Sequence, residues 1–301
     1  MKAVVLTAYG DVDNLELRDI PEPRVGPGEI AVRVAASSLN PVDWKLRSGA
    51  LKALMPLQLP AVLGKDAAGH VVEVGPGVRN FAVGARVMGN VNAAHAERVV
   101  AKAEAWAPVP AELDLLEAAA IPLVALTGAQ LVDEAIAPSA GQTILVTGAL
   151  GGVGRTAVFA AKARGATVWA GVRRKQEDEA TRLGADAIVA LDDDRELDTL
   201  PTLDAIADTV GGPTIAKLLP RVRRGGIVAT VLGKPAGADE RGLVVHAIMT
   251  HPDSARLAAL AQAVADRKLV IPIVRRFSLS EIRAAHQAAE RGAGGKVLLV
   301  L

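Results

Sequence analysis

No cysteine occurs in the 301 residues. That removes disulfides, thiolate nucleophiles and every cysteine-ligated zinc or iron–sulfur site. Aromatic residues make up only 2% of the chain, too few to build stacking platforms for single-stranded nucleic acid. Neither sign of charge is in excess: 34 Lys and Arg face 33 Asp and Glu, for a net charge of +1. Broad electrostatic capture of nucleic acid or of a membrane surface is therefore disfavoured. The uncharged stretch Ala118–Val132 is broken by Pro122, Thr127 and Gly128 and is too short to span a bilayer. The apolar run at Met1–Leu6 is too short for a signal peptide, and Asp11 and Asp13 follow it, so the cytoplasm is the expected compartment. No internal repeat or low-complexity segment is present.

What the chain does have is concentrated between Thr143 and Lys175. Thr143–Gly148 is a β-branched run that reads as a buried strand. Ala149-Leu150-Gly151-Gly152-Val153-Gly154 is a glycine-dense turn, and Arg155–Arg164 carries a helix pattern stopped by Gly165. Thr167–Val172 begins a second strand. Strand, glycine turn, helix and strand form a βαβ unit of the size a dinucleotide site needs. Gly151 and Gly152 let backbone N–H groups approach a diphosphate, Gly154 lets the helix lie close on the strand, and Val153, in the same turn, is a further cofactor-binding candidate. Ala149 stands where the usual G-x-G-x-x-G fingerprint has its first glycine.

The end of the second strand selects the cofactor. An NAD site usually places Asp or Glu there for the ribose 2′-hydroxyl. This chain places Arg173-Arg174-Lys175, cations suited to a 2′-phosphate, so NADP(H) is expected over NAD(H). The alternative for each is a solvated charge opening the helix expected at Gln176–Leu183.

The rest divides in two. Residues up to about 110 read as short strands with Gly/Pro turns: Ala3–Leu6, Leu15–Leu17, Ile30–Val34, Ala67–Val74, Val83–Val87 and Ala96–Val100. Helices are expected at Leu113–Ala120 and Leu126–Ile136. Further strands are expected at Ala187–Ala190, Ala205–Asp208 and Ile227–Val231, with a helix at Ile215–Leu219. This alternation predicts a parallel, doubly wound sheet. Helices at Ser254–Arg267 and Ser280–Arg291 and strands at Ile271–Val274 and Lys296–Leu301 complete the expectation. The fold class read from this pattern is α/β, a barrel-like β domain followed by a doubly wound domain.

Several segments together resemble one family. They are Asn40-Pro41-Val42-Asp43, Leu63-Gly64-Lys65-Asp66-Ala67-Ala68-Gly69, Glu73–Val78, Gly148–Gly154, Asp208-Thr209-Val210-Gly211-Gly212 and Gly295-Lys296-Val297. The chain resembles the zinc-independent medium-chain dehydrogenase/reductases, specifically the zeta-crystallin-like quinone oxidoreductases. The resemblance implies a GroES-like β-barrel catalytic domain at 1–115 completed by 268–301, an inserted Rossmann domain at 116–267, an active cleft between them and a homodimer joined through the nucleotide domains. The function it implies is an NADPH-dependent oxidoreductase that delivers hydride to a quinone or an α,β-unsaturated carbonyl. Zinc-using relatives carry Cys where Asn40 stands and His-Glu where Lys65-Asp66 stand. A lysine ammonium is no zinc ligand, so a zinc alcohol dehydrogenase is disfavoured and no metal is expected. A nucleotide-bound scaffold with little turnover is the remaining alternative. Crystallin relatives make that conceivable, and some bind RNA, against which the small charge and few aromatics speak.

The resemblance also places candidate residues. Asn40 is expected beside the nicotinamide, as a donor to the acceptor's carbonyl oxygen or as a pre-proline turn residue. Lys65 either supplies a positive field or pairs with Asp66 or Asp43, and Asp43 holds a loop. Thr127 touches the nicotinamide or packs within its helix. Val210, Leu232 and Gly233 lie at the carboxyl edge of the expected sheet, along the nicotinamide or in the core. His95 is a candidate proton donor, His70 is structural and the role of His246 is open. Leu191 and Arg98 replace common aromatics, which puts the adenine pocket and the substrate mouth in doubt.

Overall fold

Glycine and proline turns cut the first hundred residues into β-branched runs too short for helices, and these runs pair. The computed structural model describes all 301 residues. Eight strands come first: β1 (Lys2–Leu6), β2 (Leu15–Asp19), β3 (Glu29–Leu39), β4 (Ala61–Val62), β5 (Asp66–Val74), β6 (Arg86–Asn90), β7 (Arg98–Lys102) and β8 (Trp106–Pro108). β1 lies between β2 and β4, and β3 pairs with both β5 and β7. β6 starts later than expected because Gly84, at φ +90°, makes a turn where the sequence suggested strand. Helix α1 (Pro41–Ser48) follows β3 where Asn40-Pro41 suggested only a turn. Pro41 instead takes the first helical position, where its fixed φ and missing N–H cost nothing.

Two short helices lead onward, α2 (Leu115–Ala118) and α3 (Pro122–Gln130), the latter continued by a π-helical segment at Leu131–Ile136. Then come β9 (Thr143–Thr147), α4 (Gly152–Ala163), β10 (Thr167–Val172), α5 (Glu177–Ala180), β11 (Ala187–Ala190), α6 (Asp194–Thr199), β12 (Leu203–Asp208), α7 (Gly212–Leu218), β13 (Val222–Thr230) and β14 (Val244–Ala247). The sheet order is β11-β10-β9-β12-β13-β14 with every pair parallel. In chain order that is 3-2-1-4-5-6, the doubly wound arrangement, with the reversal between β9 and β12. Ile144 and Val146 pack with Leu131, Val158 and Ala161 on one face. Leu145 and Ile206 pack with Leu197, Ile215 and Leu218 on the other. Each fully buried aliphatic side chain of this kind contributes roughly 1.5–3 kcal/mol.

The chain ends with α8 (Ser254–Ala265), β15 (Ile273–Ser278), α9 (Ile282–Glu290) and β16 (Lys296–Val300). β16 pairs antiparallel with β3 and parallel with β15, so the C-terminal segment completes the first β unit. The two units are Met1–Leu123 with Pro252–Leu301, and Val124–His251. The nucleotide unit is thus shorter than the expected 116–267. The reason lies in α8, which packs against β8, where the Ser254 hydroxyl donates to the Trp106 carbonyl at 2.7 Å. No helix is long and apolar enough to cross a membrane.

Candidate active site

In the second unit the glycine turn closes β9 and opens α4. A Cβ on Gly154 would lie 2.2 Å from the Gly148 carbonyl oxygen, so only glycine lets the helix approach the strand this closely. Gly151, the N-cap residue of α4, is different. A Cβ there would meet only that same oxygen, at 3.3 Å, and the residue is exposed. The first-turn N–H groups of Gly152 and Val153 have no intrahelical acceptor, and the helix dipole adds positive potential there. The cradle therefore fits a dinucleotide diphosphate. Ala149 is buried and its N–H donates to the Gly171 carbonyl, which gives it a structural place. Arg155, which sequence reasoning missed, braces the turn through Nε to the Leu150 carbonyl at 2.9 Å and an ion pair with Glu179.

Arg173, Arg174 and Lys175 are all exposed after β10. They are not equivalent. Arg174 donates from Nη2 to Asp193 at 2.5 Å and Glu196 at 2.6 Å, and its N–H donates to Asp192 at 2.7 Å. Its charge is already answered, contrary to the expectation of three cations awaiting a phosphate. The side chains of Arg173 and Lys175 make no such pairs.

At the sheet reversal a second missed residue, Asp208, ties three strand ends together. Its Oδ1 accepts from Thr147 Oγ1 at 2.8 Å and from the N–H groups of Val210 and Gly211, and its Oδ2 accepts from Thr230 Oγ1 at 3.1 Å. Val210 and Leu232 follow β12 and β13 and stay 45% and 42% exposed, so neither is core. Gly233, at φ +94°, turns the chain after Leu232. Thr127 is buried, with its hydroxyl 2.6 Å from that of Thr250.

In the first unit, the end of β3 and the starts of β5 and β16 bring together Asn40, Asp66 and Lys296. Asn40 is fully buried. Its Nδ2 donates to Asp66 Oδ2 at 2.8 Å, and its Oδ1 accepts from Lys296 Nζ at 2.6 Å. The amide thus faces protein partners, and direct donation to a substrate oxygen is not its place in this structure. Asp43 does hold the turn, accepting from the Asn40 N–H at 2.8 Å. Burial, reinforced by Asp66, pushes its carboxyl up to about 7, against the opposing pull of the Asn40 N–H. Lys65 pairs with neither expected carboxylate; its Nζ donates to Asn92 Oδ1 at 2.5 Å. Half-burial lowers the Lys65 ammonium from its ordinary range, opposed by the charges of Asp43 and Asp66.

The proton-donor role for His95 does not hold. His95 is wholly buried, edge-on to buried His286 with ring centroids 5.9 Å apart. Burial takes the two imidazoles down to about 3 and about 2, so both are neutral at pH 7. Arg98 lies in ion pairs with Glu22 and Glu73.

Two family models match the chain, one described as alcohol dehydrogenase GroES-like domain over residues 26–111 and one as zinc-binding dehydrogenase over 183–299. A chloroplast envelope quinone oxidoreductase homolog of Arabidopsis thaliana is 35% identical over 63% of this chain and 60% of its own length. An NADPH-dependent alkenal/one oxidoreductase of the same plant is 34% identical over 77% of this chain and 63% of its own. The chain thus spans about three fifths of the length of the curated relatives it matches. A solved alcohol dehydrogenase superfamily protein from Novosphingobium aromaticivorans is 31% identical, covers 100% of this chain and 99% of its own, and superposes with a TM-score of 0.86.

Proposed function

Since this chain belongs to the medium-chain dehydrogenase/reductase family, the alcohol dehydrogenase superfamily, we propose that it is a zinc-free, NADPH-dependent oxidoreductase acting on a quinone or an α,β-unsaturated carbonyl. The observation that carries this reading is the open amide cradle at Gly151, Gly152 and Val153, set where the sheet order reverses. The names of the quinone and alkenal/one relatives support the substrate class.

When bound, the nicotinamide supplies the hydride. Gly152 and Val153 hold the diphosphate through their N–H groups. Arg173 and Lys175 take the 2′-phosphate, while Arg174 stiffens the loop that presents them. Val210 and Leu232 would offer apolar contact to the nicotinamide, Gly233 would let the chain approach it, and the Thr127 hydroxyl would be a polar contact for its amide or ribose. Reduction of a conjugated carbonyl builds negative charge on the acceptor oxygen, and the Lys65 ammonium supplies the opposing charge. Asn40 orders that end of the first unit and makes no contact with the acceptor. The polar set at Asn40, Lys65 and Asp66 lacks the thiolate and imidazole donors a catalytic zinc uses. A homodimer joined along the edge strand β14, where Val244 is 44% exposed, and a cytoplasmic setting complete the reading.

A panel of quinones and enones with NADPH or NADH, followed by loss of nicotinamide absorbance, tests it. Acceptor-dependent consumption of NADPH, faster than of NADH and indifferent to chelators, is the expected result. NADPH binding without turnover on any acceptor would favour a scaffold. Metal on elemental analysis, with loss of activity on chelation, would favour the zinc-type enzyme.

A further inference from the structure

Lys296 opens β16, and its side chain is 7% exposed as a residue. Burying an ammonium is costly unless its three hydrogens find acceptors. Here they do: Asn40 Oδ1 at 2.6 Å, Asp66 Oδ2 at 3.2 Å and the Leu39 carbonyl at 3.3 Å. Asp66 is equally engaged. Its Oδ2 also accepts from Ser38 Oγ at 2.8 Å, and its Oδ1 accepts from the Leu123 N–H at 2.7 Å. Placement of the lysine is built into the backbone. A Cβ on Gly295 would lie 2.7 Å from the Pro272 carbonyl oxygen, and the Lys296 N–H donates to that oxygen at 2.7 Å.

We propose that Lys296 is a positioning residue of the acceptor end, one that fixes the Asn40 amide and the Lys65 segment and adds a fixed positive charge beside them. The inference rests on the reading above that Asn40 and Lys65 mark that end. Lys296 only donates and Asp66 only accepts, so the Asn40 amide has one permitted orientation. Asp66 follows Lys65 directly, so holding its carboxylate holds the start of β5, where Lys65 is carried. The charge balance points the same way. Two ammonium groups stand against one paired carboxylate, with Asp43 partly neutral at pH 7. The set retains net positive charge for an anion developing on an acceptor.

Lys296→Met alone strands Asp66 as a buried unpaired charge and is expected to unfold the unit. Lys296→Met with Asp66→Asn removes both charges and keeps the volume, so it is the variant to test, with Lys296→Arg as the conservative control. The double variant should fold and bind NADPH as the parent does, while kcat with a quinone or enone falls by about tenfold to a hundredfold. Lys296→Arg should recover most of kcat. A crystal structure of the double variant should show Asn40 or Lys65 displaced, or, with both unmoved, assign the kcat loss to the missing charge. A double variant with kcat within about twofold of the parent overturns the proposal, and so does an equal loss of NADPH affinity. If the parent reduces no acceptor, the oxidoreductase reading falls, and the crystal structure alone decides: Asn40 and Lys65 unmoved would end the positioning role.

Discussion

Thr147 Oγ1 donates to Asp208 Oδ1 at 2.8 Å, joining the ends of β9 and β12 at the point where the sheet reverses its order. The same carboxylate receives Thr230 from β13 and two N–H groups of the following turn. Ligands of doubly wound sheets bind at this edge, so under the proposed reading the carboxylate would brace the floor of the nucleotide site.

Asp208→Ala should therefore act on stability and binding together. Four donors, three of them buried, would lose their acceptor, a loss of roughly 2–4 kcal/mol. Denaturant unfolding would read that loss, and NADPH titration of the still-folded fraction would read weaker binding. Unchanged stability would mean that the strand ends hold without this residue.

The three cations after β10 should separate on single substitution. Arg173→Ala and Lys175→Ala should each weaken NADPH by about tenfold or more, the scale of one charge-assisted hydrogen bond, with little effect on NADH. Arg174→Ala should change the NADPH-to-NADH ratio far less, because its guanidinium is already held by Asp193 and Glu196. Equal effects from all three, by fluorescence titration, would show that the ion pairs open when nucleotide binds.

How far the sequence reached follows from what kind of signal each feature leaves. The glycine turn and its flanking strands were legible because steric need is local: Gly154 is required by a carbonyl six residues earlier. The parallel sheet was legible from alternation, and the antiparallel strands of the first unit from their short runs. The Asn40–Asp66–Lys296 set was not, because its members lie just after β3 and at the starts of β5 and β16 and meet only through sheet pairing. Gly295-Lys296 marked a resemblance, yet nothing local said that the ammonium points inward. Arg174 misled for the same reason, since its partners lie about twenty residues away on the next strand end. His95 misled because a lone histidine near a turn gives no measure of depth.

The buried histidine pair should make the protein acid-sensitive. Both imidazoles have folded values below the ordinary 6.5, first because burial penalises the cation and, for His286, because His95 and Arg47 add repulsion. The unfolded chain then binds more protons as pH falls, so stability is intact above about 6.5 and is lost downward toward about 3. The slope is about 1.4 kcal/mol per pH unit for each imidazole. Melting temperature between pH 7 and pH 5 should drop steeply, and less so in His95→Leu with His286→Leu. Equal slopes in parent and variant would assign the acid sensitivity elsewhere.

Asp43 carries the opposite sign. Its folded value of about 7 lies above the ordinary 3.8, so its contribution is present below 3.8 and is lost as pH rises through 7. Asn in its place keeps an acceptor for the Asn40 N–H and never ionises. Asp43→Asn should thus gain stability over the parent at pH 8, gain less at pH 5 and show little difference only near the ordinary value of 3.8. A gain independent of pH would show that the carboxyl does not ionise in this range.

Gly151 and Gly154 offer the sharpest test of what the turn is for, because the structure gives them different reasons to be glycine. Gly154→Ala drives a methyl to within 2.2 Å of the Gly148 carbonyl oxygen and close to Ala149 backbone, where nothing flexible can yield. It should destabilise the nucleotide unit by about 3 kcal/mol or more and lower the melting temperature in the absence of any ligand. Gly151→Ala places its methyl 3.3 Å from the same oxygen, in an ordinary extended conformation at φ −71° and ψ 159°. The folded protein should accept it with a melting temperature near the parent's. Its cost should appear only when NADPH is added, as a loss of affinity of about tenfold or more, since the methyl enters the space a diphosphate needs. If Gly151→Ala bound NADPH as tightly as the parent, the amide cradle would not be the diphosphate site, and the nucleotide would have to be sought elsewhere on the sheet edge.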